Sequence, residues 1–346
     1  MQPLCRFFSV FCIIFFLLSQ NLFAQDVNSF DTAEKTKKFP VSGFLAFSVN
    51  TMLAEGREYV CDYDVILSDL KWPLTPSVSY TLNGGVYFPK GIHLEGNISF
   101  MQPMSTAPMT DTDFEGILQT PPYTGKTKFS EHNCTIIDGL SWMAKLGLQL
   151  PMPQTAAMRS AGIAVTVEPM ISFYYSTISW YSYGGYLQYA KIKPNGRYEP
   201  WHNGLLKVPH NGSAISYRQQ IMMPAIGLGF EATLPYNLML VSDFHLTPDM
   251  IASAEDIHHT KNVRYVDILD GGWAMYGNLR LHWNCLPFFA VFFNLFYQYC
   301  VSMEGRSIIF QGITSTKPYS FTQPNSAGTS LRGCTCSVGF AFLIGR

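Results

Sequence analysis

The run GGWAMYGNLRLHWN (residues 271–284) places Trp273, Met275, Leu279, Leu281 and Trp283 on one face, and Tyr276, Asn278, Arg280 and His282 on the other. A period of two marks a β-strand with unlike faces. The two tryptophans are ten residues apart, about 33 Å along a strand or about 25 Å once it tilts by about 40°. That matches the apolar band of a membrane barrel with an aromatic at each edge. Strands of soluble sandwiches average about five or six residues and seldom alternate so far.

The same pattern recurs along the chain. In GIHLEGNISF (91–100), Ile92, Leu94, Ile98 and Phe100 oppose His93, Glu95, Asn97 and Ser99. In GIAVTVEPMISF (162–173), Ile163, Val165, Val167, Ile171 and Phe173 oppose Ala164, Thr166, Glu168 and Ser172. MMPAIGLGFEATL (222–234) sets Ile226, Leu228, Phe230 and Leu234 against Ala225, Gly227, Gly229 and Glu231. Charged residues are only 14% of the 346 and aromatics 15%, where soluble domains carry about a quarter charged. Much of the surface therefore meets something other than water. A net charge of −1 excludes the basic surface of a nucleic-acid binder.

The N-terminus reads as an export signal over residues 1–24: Arg6 precedes the apolar run FFSVFCIIFFLL (7–18), and NLFAQ (21–25) offers cleavage after Ala24. This twelve-residue run falls short of the roughly twenty apolar residues that a membrane-spanning helix needs. A short segment, 25–41, leads into residues 42–346, read as all-β: a ten-stranded antiparallel transmembrane β-barrel of the outer-membrane type. The expected strands are 42–53, 58–88, 92–104, 135–150, 161–190, 214–234, 238–248, 262–284, 288–310 and 331–343. Short turns near 89–91, 235–237 and 286–287, with a longer one at 151–160, belong to the periplasmic end. The long connections 105–134, 191–213, 249–261 and 311–330 belong to the other. The six cysteines left after the signal (Cys61, Cys134, Cys285, Cys300, Cys334, Cys336) show no zinc spacing, and export permits disulfides whose pairing the sequence does not give.

Two short runs in the long connections carry chemistry. TDTDF (110–114) holds Asp111 and Asp113; AEDIHHTK (254–261) holds Asp256 and His258. A carboxylate bonded to one imidazole nitrogen fixes the tautomer, so the other nitrogen can take a proton from water. A facing aspartate pair can hold that water from its other side. Two carboxylates this close should not both ionise readily, so one is expected to be raised. Other readings stand beside this one. Asp-x-Asp is commonly solvated turn chemistry; Asp256, His258 and His259 with Asp111 or Asp113 also form a metal-ligand set; and Ser130 with His132 reads as a nucleophile and its base.

At these residues the chain resembles the omptins, ten-stranded outer-membrane endopeptidases. ISYRQQIMMPAIGL (215–228) looks like the family's sixth strand; SDLKW (68–72), TDTDF (110–114), SEH (130–132), the glycines at 184–185 and EDIHH (255–259) follow in order along nearly the whole mature chain. The resemblance implies an aspartyl-type endopeptidase needing no cofactor and no metal, with Asp111, Asp113, Asp256 and His258 catalytic. Ser130 and His132 then lie near the site without being the nucleophile.

The implied partners are peptide substrates with basic residues, together with outer-membrane lipid, and the active site faces outside the cell. In the family, two acids hold a basic side chain; Glu58 matches the first, on the rim of the second strand, while Ala254 stands at the second. Glu255 is the neighbour able to swing in. The family's lipopolysaccharide positions fall on Phe173, Tyr175, Thr177 and Gln220, without the matching charges, which leaves a lipopolysaccharide requirement doubtful. The alternative is a catalytically silent barrel acting as an adhesin or surface-interaction protein.

Overall fold

The computed structural model describes residues 41–62, 65–114 and 125–345; the expected export signal and its cleavage point lie outside them. One antiparallel sheet closes on itself as ten staves. The first is β1 (Ser42–Asp62); the second is β2 (Val65–Pro73) with β3 (Val78–Tyr87). The third joins β4 (Ile92–Met101), β5 (Met104–Ser105) and β6 (Met109–Phe114), and the fourth is β7 (Lys126–Leu148). After the two-residue β8 (Leu150–Pro151), the fifth is β9 (Ala164–Tyr189). Past the short β10 (Val208–Pro209), the sixth is β11 (Ser213–Leu234) and the seventh is β12 (Leu238–Thr247) with β13 (Ile251–His258). The eighth is β14 (Val263–Asp270) with β15 (Ala274–Leu286), and the ninth is β16 (Phe289–Gln311). The tenth, after β17 (Ser320–Phe321), is β18 (Ala327–Ile344). β18 pairs with β1 from Gly43↔Ile344 to Val60↔Ala327, which seals the ring.

Closure is what lipid demands, since an unpaired backbone N–H or C=O has no water to turn to there. The alternation read from sequence points the apolar rows outward. Ile171, Ile226, Leu279 and Leu281 are all exposed, as are Trp273 and Trp283 at the two ends of the β15 run. Inward lie polar side chains that satisfy one another. Lys145 Nζ donates to Asp243 Oδ2 at 2.5 Å, Asn278 Nδ2 to Asp243 Oδ1 at 3.0 Å, and His93 pairs with Glu168 at 2.7 Å. The connection after β8 carries one helical turn, α1 (Ala156–Ser160), capped by Thr155, whose Oγ1 accepts from Met158 N. All six described cysteines are free thiols.

The strand ends differ from expectation at the end carrying the long connections. β1 runs through residues 54–57 to Asp62, so Glu58 sits on the first stave, not on the second. The third, fourth and seventh staves also run on. Asp111 and Asp113 lie in β6, Ser130 and His132 in β7, and Asp256 and His258 in β13, rather than in loops. The sequence pattern ends where lipid ends, whereas the hydrogen-bond ladder continues above it.

Interruptions at 74–77, 102–103 with 106–108, 248–250 and 271–273 mark the transition on four staves. Gly271 and Gly272 (φ 73° and 76°) turn the eighth stave immediately beside Trp273. β2, β6, β13 and β14, with the ends of β1 and β7 that pair with them, therefore stand above the apolar band.

If Leu279, between the two tryptophans, faces lipid, Leu279→Arg should destabilise the barrel by about 2–4 kcal/mol, the cost of a cation near the bilayer midplane. Denaturant titration of protein folded into lipid vesicles measures this; a change near zero would mean that the face meets something other than lipid.

Candidate functional site

The lumen below the site is filled by aromatic rings. Trp72, Trp180 and Tyr217 are fully buried. The Trp72 and Tyr217 rings stack at 5.2 Å and 12°, and Trp180 and Tyr217 at 5.8 Å and 26°. Above this floor, two walls of polar side chains face each other.

One wall is built from β2, β6 and β7. Asp111 is opposite Leu70 on one side and Ser130 on the other. Its carboxylate accepts from Ser68 Oγ at 3.0 Å, from Ser130 Oγ at 3.4 Å and from Lys128 Nζ at 2.8 Å. Lys128 Nζ also donates to Asp113 Oδ2 at 2.9 Å, so one ammonium bridges the two aspartates. Burial pushes Asp111 up, but Lys128, Ser68 and the nearby His258 more than offset it, and its carboxyl lies below the ordinary range. The expectation of a raised carboxyl in this pair is therefore corrected. It assumed two bare like charges, and the cation between them sits 17 and 15 residues along the chain on the next strand. Burial disfavours the Lys128 ammonium, yet the two carboxylates raise its pKa overall.

The other wall is β13. His258 Nε2 donates to Asp256 Oδ2 at 2.6 Å, which leaves Nδ1 as the nitrogen free to accept a proton. The rings of His258 and Tyr265 meet edge to face at 5.4 Å. Burial depresses the imidazole pKa, so His258 is neutral around pH 7. Asp111 and His258 lie close enough for each charge to act on the other's ionisation, although 147 residues separate them in sequence. The two runs singled out in the sequence thus converge across the barrel mouth.

Behind His258 sits an acidic cluster. Glu58, Asp256 and Asp267 are each only 3% exposed. Trp72 Nε1 donates to Glu58 Oε2 at 3.3 Å, and Ser307 Oγ to Asp267 Oδ1 at 2.6 Å. Burial raises the carboxyls of Glu58 and Asp256, which lie within hydrogen-bonding reach of each other. The charges of Asp256 and Asp267 raise Glu58 further. Burial likewise lifts Asp267, to about 6.

Glu255 does not join this group. It faces the opposite side of β13, partly exposed, with Arg264 Nη1 3.1 Å from its Oε1. The expectation that it swings inward is corrected, because period two puts residue 255 on the face opposite Ala254 and Asp256.

Ser130 and His132 stand on β7 beside the site. The Ser130 hydroxyl is directed to Asp111, while His132 Nδ1 donates to the carbonyl of Gly184 at 2.5 Å. Gly185 (φ 88°) makes that approach feasible: a Cβ there would lie 1.9 Å from the Glu131 carbonyl oxygen. Among the described residues no hydrogen bond joins Ser130 to His132, and no three His, Cys, Asp or Glu side chains converge as metal ligands. Sequence reasoning missed Lys128 and Asp267, because neither lies in a motif; each meets the site only through strand pairing.

A barrel of this form with a polar cleft at its mouth belongs to the outer-membrane proteins, and the comparisons narrow the class. The sequence profile of the Omptin family matches residues 41–344. The chain belongs to that family of outer-membrane proteases, which places it in the outer membrane. Among solved structures, the outer membrane protease OmpT from Escherichia coli superposes with a TM-score of 0.74 at 16% identity, over 90% of this chain and 99% of that one. The translocator domain of autotransporter NalP from Neisseria meningitidis reaches only 0.34 at 9% identity, over 96% and 97%. Ail, the attachment invasion locus protein of Yersinia pestis, reaches 0.25 at 7%, over 87% and 99%. No curated protein matches.

Lys128→Met should leave burial as the dominant influence on Asp111, so that its carboxyl titrates above the ordinary 3.8 instead of below it. Carbon-13 NMR of aspartate-labelled barrel in micelles follows this directly; an unmoved midpoint would show that the ammonium does not set the ionisation of the pair.

Proposed function

We propose that the chain is an endopeptidase, its cleft open to the outside of the cell, which hydrolyses peptide bonds next to basic residues with a water molecule activated by Asp256 and His258. The supporting observation is the 2.6 Å Asp256–His258 hydrogen bond set opposite the Asp111 carboxylate. Asp256 fixes the imidazole with its proton on Nε2 and stabilises the imidazolium that forms during reaction. Water held between His258 and Asp111 gives a proton to His258 Nδ1 as its oxygen attacks the scissile carbonyl carbon. The resulting tetrahedral species expels the amine, which takes the proton back from His258. Asp111 accepts a hydrogen bond from the water's second O–H, and Lys128 keeps Asp111 ionised and holds both aspartates in place. No covalent enzyme intermediate forms.

His258→Ala should lower kcat/KM for a peptide with an internal arginine by roughly 10²–10⁴-fold, the usual contribution of a positioned general base. Ser130→Ala should cost much less, since its hydroxyl only supports Asp111. Equal losses in the two variants would overturn the assignment of the base, and a purified barrel that cleaves no peptide would favour the adhesin reading.

The pH profile gives an independent check. His258 must be neutral to accept a proton, so activity is present above its pKa and lost as pH falls through it. Burial places that pKa below the ordinary 6.5, and the acid limb of kcat/KM should therefore lie below 6.5. A limb above that value would contradict the buried, neutral imidazole.

A further inference from the structure

His258 stands on the last rung of its hairpin. Across that rung Ile215 on β11 is opposite His258, His258 is opposite Val263 on β14, and Val263 is opposite Gln311 on β16. Above it the chain turns over through His259, Thr260, Lys261 and Asn262. The end of a ladder frays most readily, because pairing holds it from one side only. A general base placed there needs the turn above it held as well, since a small displacement of a reacting group is costly in rate.

The turn is held on both flanks. Towards β11, His259 N donates to the Ala214 carbonyl oxygen at 3.0 Å, and His259 Nε2 and Ser216 Oγ are hydrogen-bonded at 2.8 Å. This engages the second histidine of the pair, whose side chain period two sends to the face opposite His258. Towards β16, the connection that follows Gln311 folds back on Asn262. Gly312 N donates to the Asn262 carbonyl oxygen at 2.8 Å, and Ile313 N donates to Asn262 Oδ1 at 3.2 Å. That connection is itself braced: Ser315 N donates to the Gly312 carbonyl oxygen at 3.0 Å, and Arg264 Nη2 donates to the Ser315 carbonyl oxygen at 2.7 Å. The Arg264 guanidinium also lies 4.2 Å over the Phe310 ring and donates to Glu255 Oε1 at 3.1 Å. The brace is thus anchored in β13, β14 and β16 together.

Asn262 has a φ of 51°, the left-handed region that asparagine enters more readily than most residues with a side chain. The turn geometry alone would be met by glycine. What the carboxamide adds is the Oδ1 contact with the neighbouring connection.

We propose that Asn262 is a positioning residue for the base: by accepting from Ile313 it fastens the turn above His258 to the connection after β16, and so keeps the imidazole on Asp256 and facing Asp111. The proposal rests on the peptidase reading of the cleft. Asn262 touches no reacting atom and acts through His258, four residues before it in the chain. Its effect belongs to the chemical step and not to the binding of substrate.

The test compares the full barrel in micelles as the parent, Asn262→Gly and Asn262→Asp, each first shown to fold by its heat-modifiable migration on gels. Glycine keeps the left-handed backbone, and with it the Gly312 contact, while removing Oδ1. Aspartate retains an oxygen that accepts from Ile313. For a peptide with an internal arginine, Asn262→Gly should lower kcat roughly tenfold, the scale of a base displaced by a fraction of an ångström, with KM within about twofold of the parent. Asn262→Asp should bring kcat back to within about threefold of the parent, because the hydrogen bond is kept.

Nitrogen-15 spectra of the histidine-labelled barrel read the same positioning without catalysis. The His258 signals, identified by their absence from His258→Ala, should show one protonated and one bare ring nitrogen in the parent and in Asn262→Asp. In Asn262→Gly they should move toward each other as the loosened ring exchanges tautomers. Unmoved His258 signals or an unchanged kcat in Asn262→Gly would overturn the proposal, and so would a loss that aspartate does not restore. If the parent cleaves no peptide, the peptidase reading fails, and the ring signals alone decide whether Asn262 positions His258.

Discussion

The requirement that every backbone polar group find a partner inside the sheet governs this molecule. In lipid it forces the ring to close, and the long β1–β18 ladder is where closure happens. The same ladder does not stop at the edge of the apolar band. It carries β6, β7 and β13 onward, so the groups of the candidate site stand on paired strands, with positions fixed by cross-strand register. A general base held to a fraction of an ångström is better served by a ladder than by a loop.

How much of this is legible in the sequence depends on which side of the band a residue lies. Within lipid, water-avoiding and lumen-facing rows must alternate, so Trp273, Leu279 and Trp283 announce both strand and orientation. Above the band both faces meet polar surroundings, and TDTDF or AEDIHH reads as easily as loop as strand. Gly56 marks a specific error: residues 54–57 fall between two expected strands, yet the glycine lies within β1, where the Trp180 ring covers the place of its side chain. Glu58 therefore seemed to open the second stave. Asp111, Asp113, Asp256 and His258 could be singled out as candidates because each pair is local in sequence. Lys128 and Asp267 act through partners on adjacent strands, and one sequence without the register does not reveal such neighbours.

The lysine changes the meaning of the aspartate pair. Taken alone, two carboxylates one residue apart suggest a shared proton and a carboxylic acid ready to donate. With Lys128 bridging them, Asp111 is an ionised acceptor, and the raised carboxyls are found elsewhere, at Glu58 and Asp256. The two walls of the cleft thus divide the electrostatic work. One is neutralised and suited to orienting water; the other keeps excess negative charge behind a neutral imidazole.

That division also separates structure from function within the same lumen. Lower in the barrel, Lys145 with Asp243 and His93 with Glu168 are matched, as a buried ion pair must be to avoid a heavy desolvation cost. Higher up, the aromatic floor removes water from beneath Glu58 and Asp267 without providing a counter-charge. At that level Glu58, Asp256 and Asp267 lie buried together, and among the described residues no lysine or arginine pairs with them. Local departures from an otherwise obeyed rule are where a folded chain holds unfavourable interactions for a ligand to relieve.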